Sequence, residues 1–151
     1  MTTRERVSSF HVSTMDAGFA RMGAHWAKRE GSILVVRWSG DVSLDDMKAL
    51  YDRIDEMGRE VPGVYCLFDS AHSVSVARDA RVWAVREAQG ARAIRGIAVV
   101  GASFAVRVLG TMLNRATDAL LRHGIPLRFF DTPEEGRDYL ESERARHEAP
   151  R

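Results

Sequence analysis

Three runs rich in β-branched and large apolar residues, at 33–36, 64–68 and Ile94–Val100, alternate with segments whose apolar residues recur at three-and-four spacing. No other feature restricts the fold as strongly. Strands that alternate with helices pair in parallel, because each parallel crossover needs a long connection that then lies over the sheet. Ile97-Ala98-Val99-Val100 has no polar interruption, the pattern of a strand buried on both faces. The chain has 151 residues, enough for one domain with its own core. Neither a linker nor an internal repeat divides it.

Residues 1–20 are polar and weakly patterned, with Val7, Phe10 and Val12 as their apolar positions, and predict a short strand or an arm lying on the domain. Segments 24–28 and 33–38 flank Arg29-Glu30-Gly31-Ser32, which suits a β-hairpin. A helix follows: Ser43 can cap the amide of Asp46, and Leu44, Met47, Leu50, Tyr51 and Ile54 share one face. Gly58 and Pro62 end it. The strand at 64–68 is closed by Asp69, and a polar loop, 70–73, leads into a second helix expected from about Ser75 to Gln89, stopped by Gly90.

Gly101-Ala102-Ser103 turns from the third strand into the longest helix, at about 103–123. Its expected core side carries Phe104, Val108, Met112, Leu113, Ala116 and Leu120, and Gly124 and Pro126 stop it. A short strand at Leu127–Phe130 precedes Thr132-Pro133-Glu134-Glu135, a cap with a first-turn proline and an N3 glutamate. The last helix is expected to fade after Leu140, leaving 143–151 as a charged tail. The order predicts a single α/β domain over 21–142, with a mixed, mostly parallel central sheet, an N-terminal hairpin and about four helices.

Charge and composition remove several function classes. The 22 basic side chains nearly cancel 21 acidic ones, for a net charge of +1, so no global field favours nucleic acid or an anionic membrane. The distribution is uneven. Between Arg78 and Arg128 nine arginines face three acids, whereas 41–60 and 131–151 are acidic. The single cysteine, Cys66, excludes an intramolecular disulfide and a multi-cysteine metal site, and reads as core; core packing is likewise expected of Trp26, Trp38 and Trp83.

The five histidines form no His-x-x-x-His pair, so no zinc site is expected. His72 beside Asp69 and Ser70 is no catalytic trio, because triads are built from residues that converge in space rather than in sequence. No catalytic residue or cofactor is predicted. The first 30 residues lack the apolar run of a secretory signal. The apolar stretch 96–110, interrupted by Ser103 and Arg107, is too short to span a bilayer. A cytoplasmic location without membrane insertion is expected.

The hairpin ending in Val35-Val36-Arg37-Trp38-Ser39-Gly40-Asp41-Val42, the strand closed by Asp69, the turn Val99-Val100-Gly101-Ala102-Ser103-Phe104 and the segment Arg128-Phe129-Phe130-Asp131-Thr132 together resemble the SpoIIAA-like group of STAS-domain proteins, including its SEC14-like branch. The resemblance covers about residues 21–142. It implies a non-enzymatic binding module in bacterial signalling, like an anti-sigma factor antagonist, whose partner is a kinase-like regulatory protein. It also implies a phosphoacceptor after the central strand, at Ser75 by count from Asp69. The SEC14-like branch implies an alternative, a carrier of a small molecule or lipid in an apolar pocket beneath the long helix, lined by Phe104, Val108 and Met112.

Each candidate residue also has a structural role open to it. Ser75 is either the phosphoacceptor or a plain N-cap, and Ser70 and Ser73 are weaker candidates of the same kind. Gly101 and Ser103 form either a tight strand-to-helix turn or, with Arg107 one turn on, the mouth of an anion site. No nucleotide-binding glycine motif is present. Arg78 and Arg81, with Arg86, are either a solvated helix face or a docking surface for an acidic or phosphorylated partner. The expected contact surface combines Ser70, His72, Ser73 and Ser75 with the second helix and the turn at 101–107. Self-association into a homo-oligomer stays open.

Overall fold

The computed structural model describes residues 18–87, 93–121 and 125–149. Most of the N-terminal arm and the stop signals Gln89, Gly90, His123 and Gly124 lie outside them. The described elements are β1 (Ala20–Met22), β2 (His25–Glu30), β3 (Ile33–Val42), α1 (Leu44–Gly58), β4 (Val64–Val76), α2 (Arg78–Glu87), β5 (Ile94–Val100), α3 (Phe104–Leu121), β6 (Leu127–Phe130) and α4 (Pro133–Glu148).

The six strands lie in sequence order across one sheet. β1, β2 and β3 are antiparallel, which gives the expected hairpin, and β3 to β6 are parallel. Each parallel connection steps to the next strand in the same direction. The right-handedness of such crossovers therefore places α1, α2 and α3 on one face. α4 follows the last strand and needs no crossover, so it is free to cover the opposite face.

Strand alternation serves both layers. Leu34, Val36, Trp38, Val64 and Cys66 point to the face where Met47, Leu50, Ile54, Ala80 and Ala84 pack. Ile33, Val35, Tyr65, Leu67, Ala98 and Val100 point to Leu140 on the other. Both faces of the central strands are buried, as the uninterrupted apolar runs require. α4 comes close to the sheet because Gly136 has no side chain there: a Cβ would lie 2.6 Å from Leu67 Cδ1 and 3.0 Å from Val100 Cγ2.

The caps read from sequence at two helices are present. Ser43 and Asp46 form a reciprocal capping box, with Asp46 N–H donating to Ser43 Oγ at 3.1 Å and Ser43 N–H to Asp46 Oδ2 at 2.9 Å. Thr132 Oγ1 accepts from Glu135 N–H at 3.3 Å, with Pro133 in the first turn. α4 does not fade after Leu140 but continues to Glu148. Arg144 bridges Glu141 and Glu148, Arg146 pairs with Glu143, and His147 Nδ1–H donates to the Glu143 carbonyl at 2.8 Å. Spaced three and four apart, these pairs stabilise a helix whose composition alone reads as a polar tail.

Cys66 is fully buried in β4, and burial pushes its thiol up to about 12. Only the thiolate reacts. The native protein at pH 8 is therefore expected to leave an aromatic disulfide reagent unreacted over hours, with one equivalent released on unfolding. Labelling of the folded chain within minutes would contradict this burial.

Candidate functional site

β3 and β4 run past the end of β5, and their extensions form the first wall of the site. The pairing continues through Ser39↔His72, Gly40↔Ser73 and Val42↔Val76, with irregularities near Trp38 and Asp41, while β4 pairs with β5 only as far as Asp69↔Val100. The expected loop at 70–73 is thus strand. The Ser39–Val42 segment supplies a backbone partner, and Ala77 N–H closes the end by donating to the Val42 carbonyl at 2.9 Å. Extension of β4 displaces the start of α2 from Ser75 to Arg78. Ser75 therefore caps no helix. Its exposed hydroxyl donates to Asp41 Oδ1 at 2.8 Å, from β4 across to β3.

The bulges sort the other loop candidates onto opposite faces. Ser70, 4% exposed, and Ser73 turn toward the helices. His72 is exposed with Ser75, and Ser70, His72, Ser73 and Ser75 therefore do not form one surface.

Gly101 makes the tight turn expected of it. Its φ is +68°, and a Cβ would lie 3.2 Å from Ala71 Cβ; its N–H donates to the Phe130 carbonyl at 3.1 Å. Ser103 Oγ accepts from Val106 N–H at 3.3 Å and caps α3. Arg107 is held between its neighbours: Nε donates to the Ala102 carbonyl at 3.3 Å, Nη2 lies 3.4 Å from Asp131 Oδ1, and the guanidinium stands over the Phe129 ring. The turn and Arg107 are thus committed to joining β5, α3 and β6.

α2 and α3 hold the main departure from the expected core. Phe104 is 84% exposed, Met112 60% and Val108 41%, one stripe along the outside of α3, and Val82 is exposed on α2. These are the large exposed hydrophobics among the described residues. The expected core positions Leu113, Ala116 and Leu120 lie outside the described side chains. Arg78 and Arg86 flank Val82 at helical spacing, both exposed and without an ion pair among the described residues. Arg81 Nε is buried with no hydrogen-bond partner among the described residues. A shallow groove lined by Leu44, Arg78, Asp79, Val82, Trp83 and Arg86 runs between α1 and α2.

The opposite side of α3 borders an apolar cavity of about 170 Å³ between the helices and the sheet. Val106 and Gly110 line it from α3, Ala84 and Val85 from α2, and Trp38, Phe68, Val99 and Phe129 from the sheet. Phe104, Val108 and Met112, the residues expected to line a pocket beneath the long helix, face away from it. The lining differs from the expected one because α3 is apolar around most of its circumference, so periodicity cannot say which side packs inward. Tyr51 stands at its edge with its hydroxyl toward the Ala84 carbonyl, and burial pushes the phenol up to about 12. No group of three metal-ligating side chains occurs among the described residues. No helix among them is long and apolar enough to cross a membrane.

A mostly parallel sheet with an antiparallel leading hairpin, three helices on one face and one on the other, defines a SpoIIAA-like α/β domain. The chain belongs to the SpoIIAA-like family, whose profile matches residues 33–141. Two solved structures resemble it. One is an uncharacterized protein of the DUF3478 family with a SpoIIAA-like fold from Shewanella loihica PV-4, with a TM-score of 0.54 and 13% identity over 78% of this chain and 92% of that one. The other is the anti-sigma factor antagonist SpoIIAA in its unphosphorylated form, with a TM-score of 0.51 and 11% identity over 78% of this chain and 98% of that one. At these identities the likeness concerns the fold. A search of the curated proteins finds no match to the sequence.

Proposed function

We propose that this chain is a non-enzymatic binding module of bacterial signalling that acts by contact with a regulatory protein, as the anti-sigma factor antagonists do. The observation that carries this reading is the set of large apolar side chains left exposed on α2 and α3, Val82 on the one and the stripe of Phe104, Val108 and Met112 on the other, with Val82 flanked by Arg78 and Arg86, which have no ion pair among the described residues. Apolar side chains grouped on one surface and rimmed by charge mark a contact site. The arginines favour a partner with carboxylates or phosphates there.

The test is capture of a partner from lysate of the source cells. The wild type is expected to retain one defined protein, and F104E/M112E and R78E/R86E to retain it at least about tenfold less. A charge reversal on the opposite face, E134K, is expected to change nothing. Equal retention by all four proteins would overturn the reading.

Ser75 is the proposed phosphoacceptor within this function, and its setting predicts how modification would act. A phosphoryl group there meets the Asp41 carboxylate, so like-charge repulsion pushes β4 away from β3. S75A loses one exposed hydrogen bond and is expected to cost at most about 1 kcal/mol. S75E is expected to lower Tm further than S75A and to weaken partner retention. Identical Tm and retention in the two variants would remove Ser75 as a switch.

A further inference from the structure

Sulfur is unevenly exposed in this protein. Of its six methionines and one cysteine, Met22, Met47, Met57, Met112 and Cys66 lie among the described residues. Met22 is 2% exposed, Met47 8% and Met57 4%, all in the core layer that α1 and α2 share with the sheet. Met112 is 60% exposed and stands on the apolar stripe of α3 with Phe104 and Val108. We infer that Met112 is a reversible oxidation site for peroxides, and that its sulfoxide switches the docking face off. The switch rests on the docking reading above; the oxidation site does not.

Access decides which sulfur reacts. A thioether has no proton to lose before it attacks, whereas a thiol reacts as its thiolate. Cys66 is fully buried and its thiol is pushed up to about 12 by that burial, so it does not compete for the oxidant. A lone pair of the Met112 sulfur attacks one oxygen of hydrogen peroxide. The S–O bond forms as the O–O bond breaks, and the hydrogen on the transferred oxygen passes to the departing hydroxide, which leaves as water. Sulfur is oxidised by two electrons and the peroxide is reduced by two. Methionine sulfoxide reductases reverse the change.

Location gives the oxidation its effect. Phe104, Val108 and Met112 are spaced four apart and form one row on the helix surface. Methionine is a pliable apolar contact, and its sulfoxide is polar and chiral. In the unbound protein the new oxygen stays in water and costs the fold little. Once a partner closes over the row, the oxygen must give up that water, which disfavours the complex. The same oxygen on Met47 or Met57 would lie inside the core and damage the fold. Burial of those residues directs the oxidant to the docking face.

The test treats the full chain with hydrogen peroxide at neutral pH. Peptide masses are expected to show Met112 oxidised at least about tenfold faster than Met22, Met47 or Met57. Tm should stay within about 2 °C of the untreated protein, as for a surface change. Native retention on a phenyl resin should fall in the wild type, return after reductase treatment, and hardly move in M112L. M112Q, polar at the same place, should elute like the oxidised wild type. Partner retention by the wild type should fall at least about fivefold on oxidation, and retention by M112L, whatever its starting level, should not respond. Similar oxidation rates at the four methionines, or an equal shift on the resin in M112L, would overturn the oxidation site. Equal partner retention by oxidised and reduced wild type would overturn the switch alone. Capture of no partner by the reduced wild type would overturn the docking reading and the switch with it, while the masses and the resin still decide the oxidation site.

Discussion

Replacement of Leu140 by alanine is expected to destabilise the protein by about 2–5 kcal/mol, the range for truncating a fully buried leucine. Leu140 has no exposed surface and packs with Ile33, Val35, Tyr65, Leu67, Ala98 and Val100. α4 is the described helix that covers this face of the sheet, so the lost methyl groups cannot be replaced from a second layer. Gly136 holds the same helix close, with a Cβ only 2.6 Å from Leu67 Cδ1, which limits inward collapse of α4. The matched control is F104A on α3. Sequence periodicity places Phe104 in the core, but the side chain is 84% exposed, and its truncation is expected to stay within about 0.5 kcal/mol of wild type. Urea unfolding of the two variants decides the matter: a large loss from F104A or a small one from L140A would reverse the assignment of inside and outside.

D46A is expected to cost about 2–4 kcal/mol, because one carboxylate satisfies two donors. Asp46 Oδ2 accepts from His25 Nε2–H at 2.9 Å and from Ser43 N–H at 2.9 Å. His25 is fully buried, stacks edge-on to Trp38, and accepts the Ser39 N–H at its Nδ1. Removing the Asp46 carboxylate thus strands a buried imidazole N–H and the Ser43 N–H and cuts the side-chain link between β2 and α1, while the Ser43 hydroxyl still caps the residue-46 N–H. D46N keeps the shape and one acceptor oxygen and should cost less.

The pH dependence has a definite sign. Burial alone would raise the Asp46 pKa, but the hydrogen bonds from Ser43 and His25 outweigh it and hold the carboxyl below 3.8. A folded pKa below the unfolded one contributes stability that is present above the unfolded value and is lost as pH falls through the folded value. The Arg137 pair acts on Glu30 in the same direction, against the opposing effect of burial. Wild-type stability should therefore decline below about pH 4, and D46N should decline less steeply. An equal acid slope in the two proteins would show that Asp46 is not held ionised by this network.

Much of the architecture is local and so was legible in the chain. Ser43 with Asp46, and Thr132-Pro133 with Glu135, place their helix starts because a cap is a contact between residues three apart. The two-faced burial of β5 follows from an unbroken apolar run, and the parallel pairing from the alternation of elements. The matches fail where a distant segment decides. β4 continues through 70–76 because the far end of β3 is there to pair with it, so Ser75 meets Asp41 across the sheet instead of capping a helix. The end of α4 forms because its charges lie in register and because Tyr65, 82 residues away in the chain, reaches His147.

The sequence by itself determined the class of fold, both ends of α1, the starts of α3 and α4, the burial of Cys66 and the absence of any nucleotide-binding glycine motif. Those properties rest on periodicity, capping and composition, which act over a few residues. Only the tertiary structure decided which side of α3 faces water, where Ser75 sits, and that Ser70 and Ser73 open into an apolar cavity. A helix apolar on most sides carries no internal record of what it packs against; that is set by the sheet and the neighbouring helices, through contacts between residues far apart in the chain.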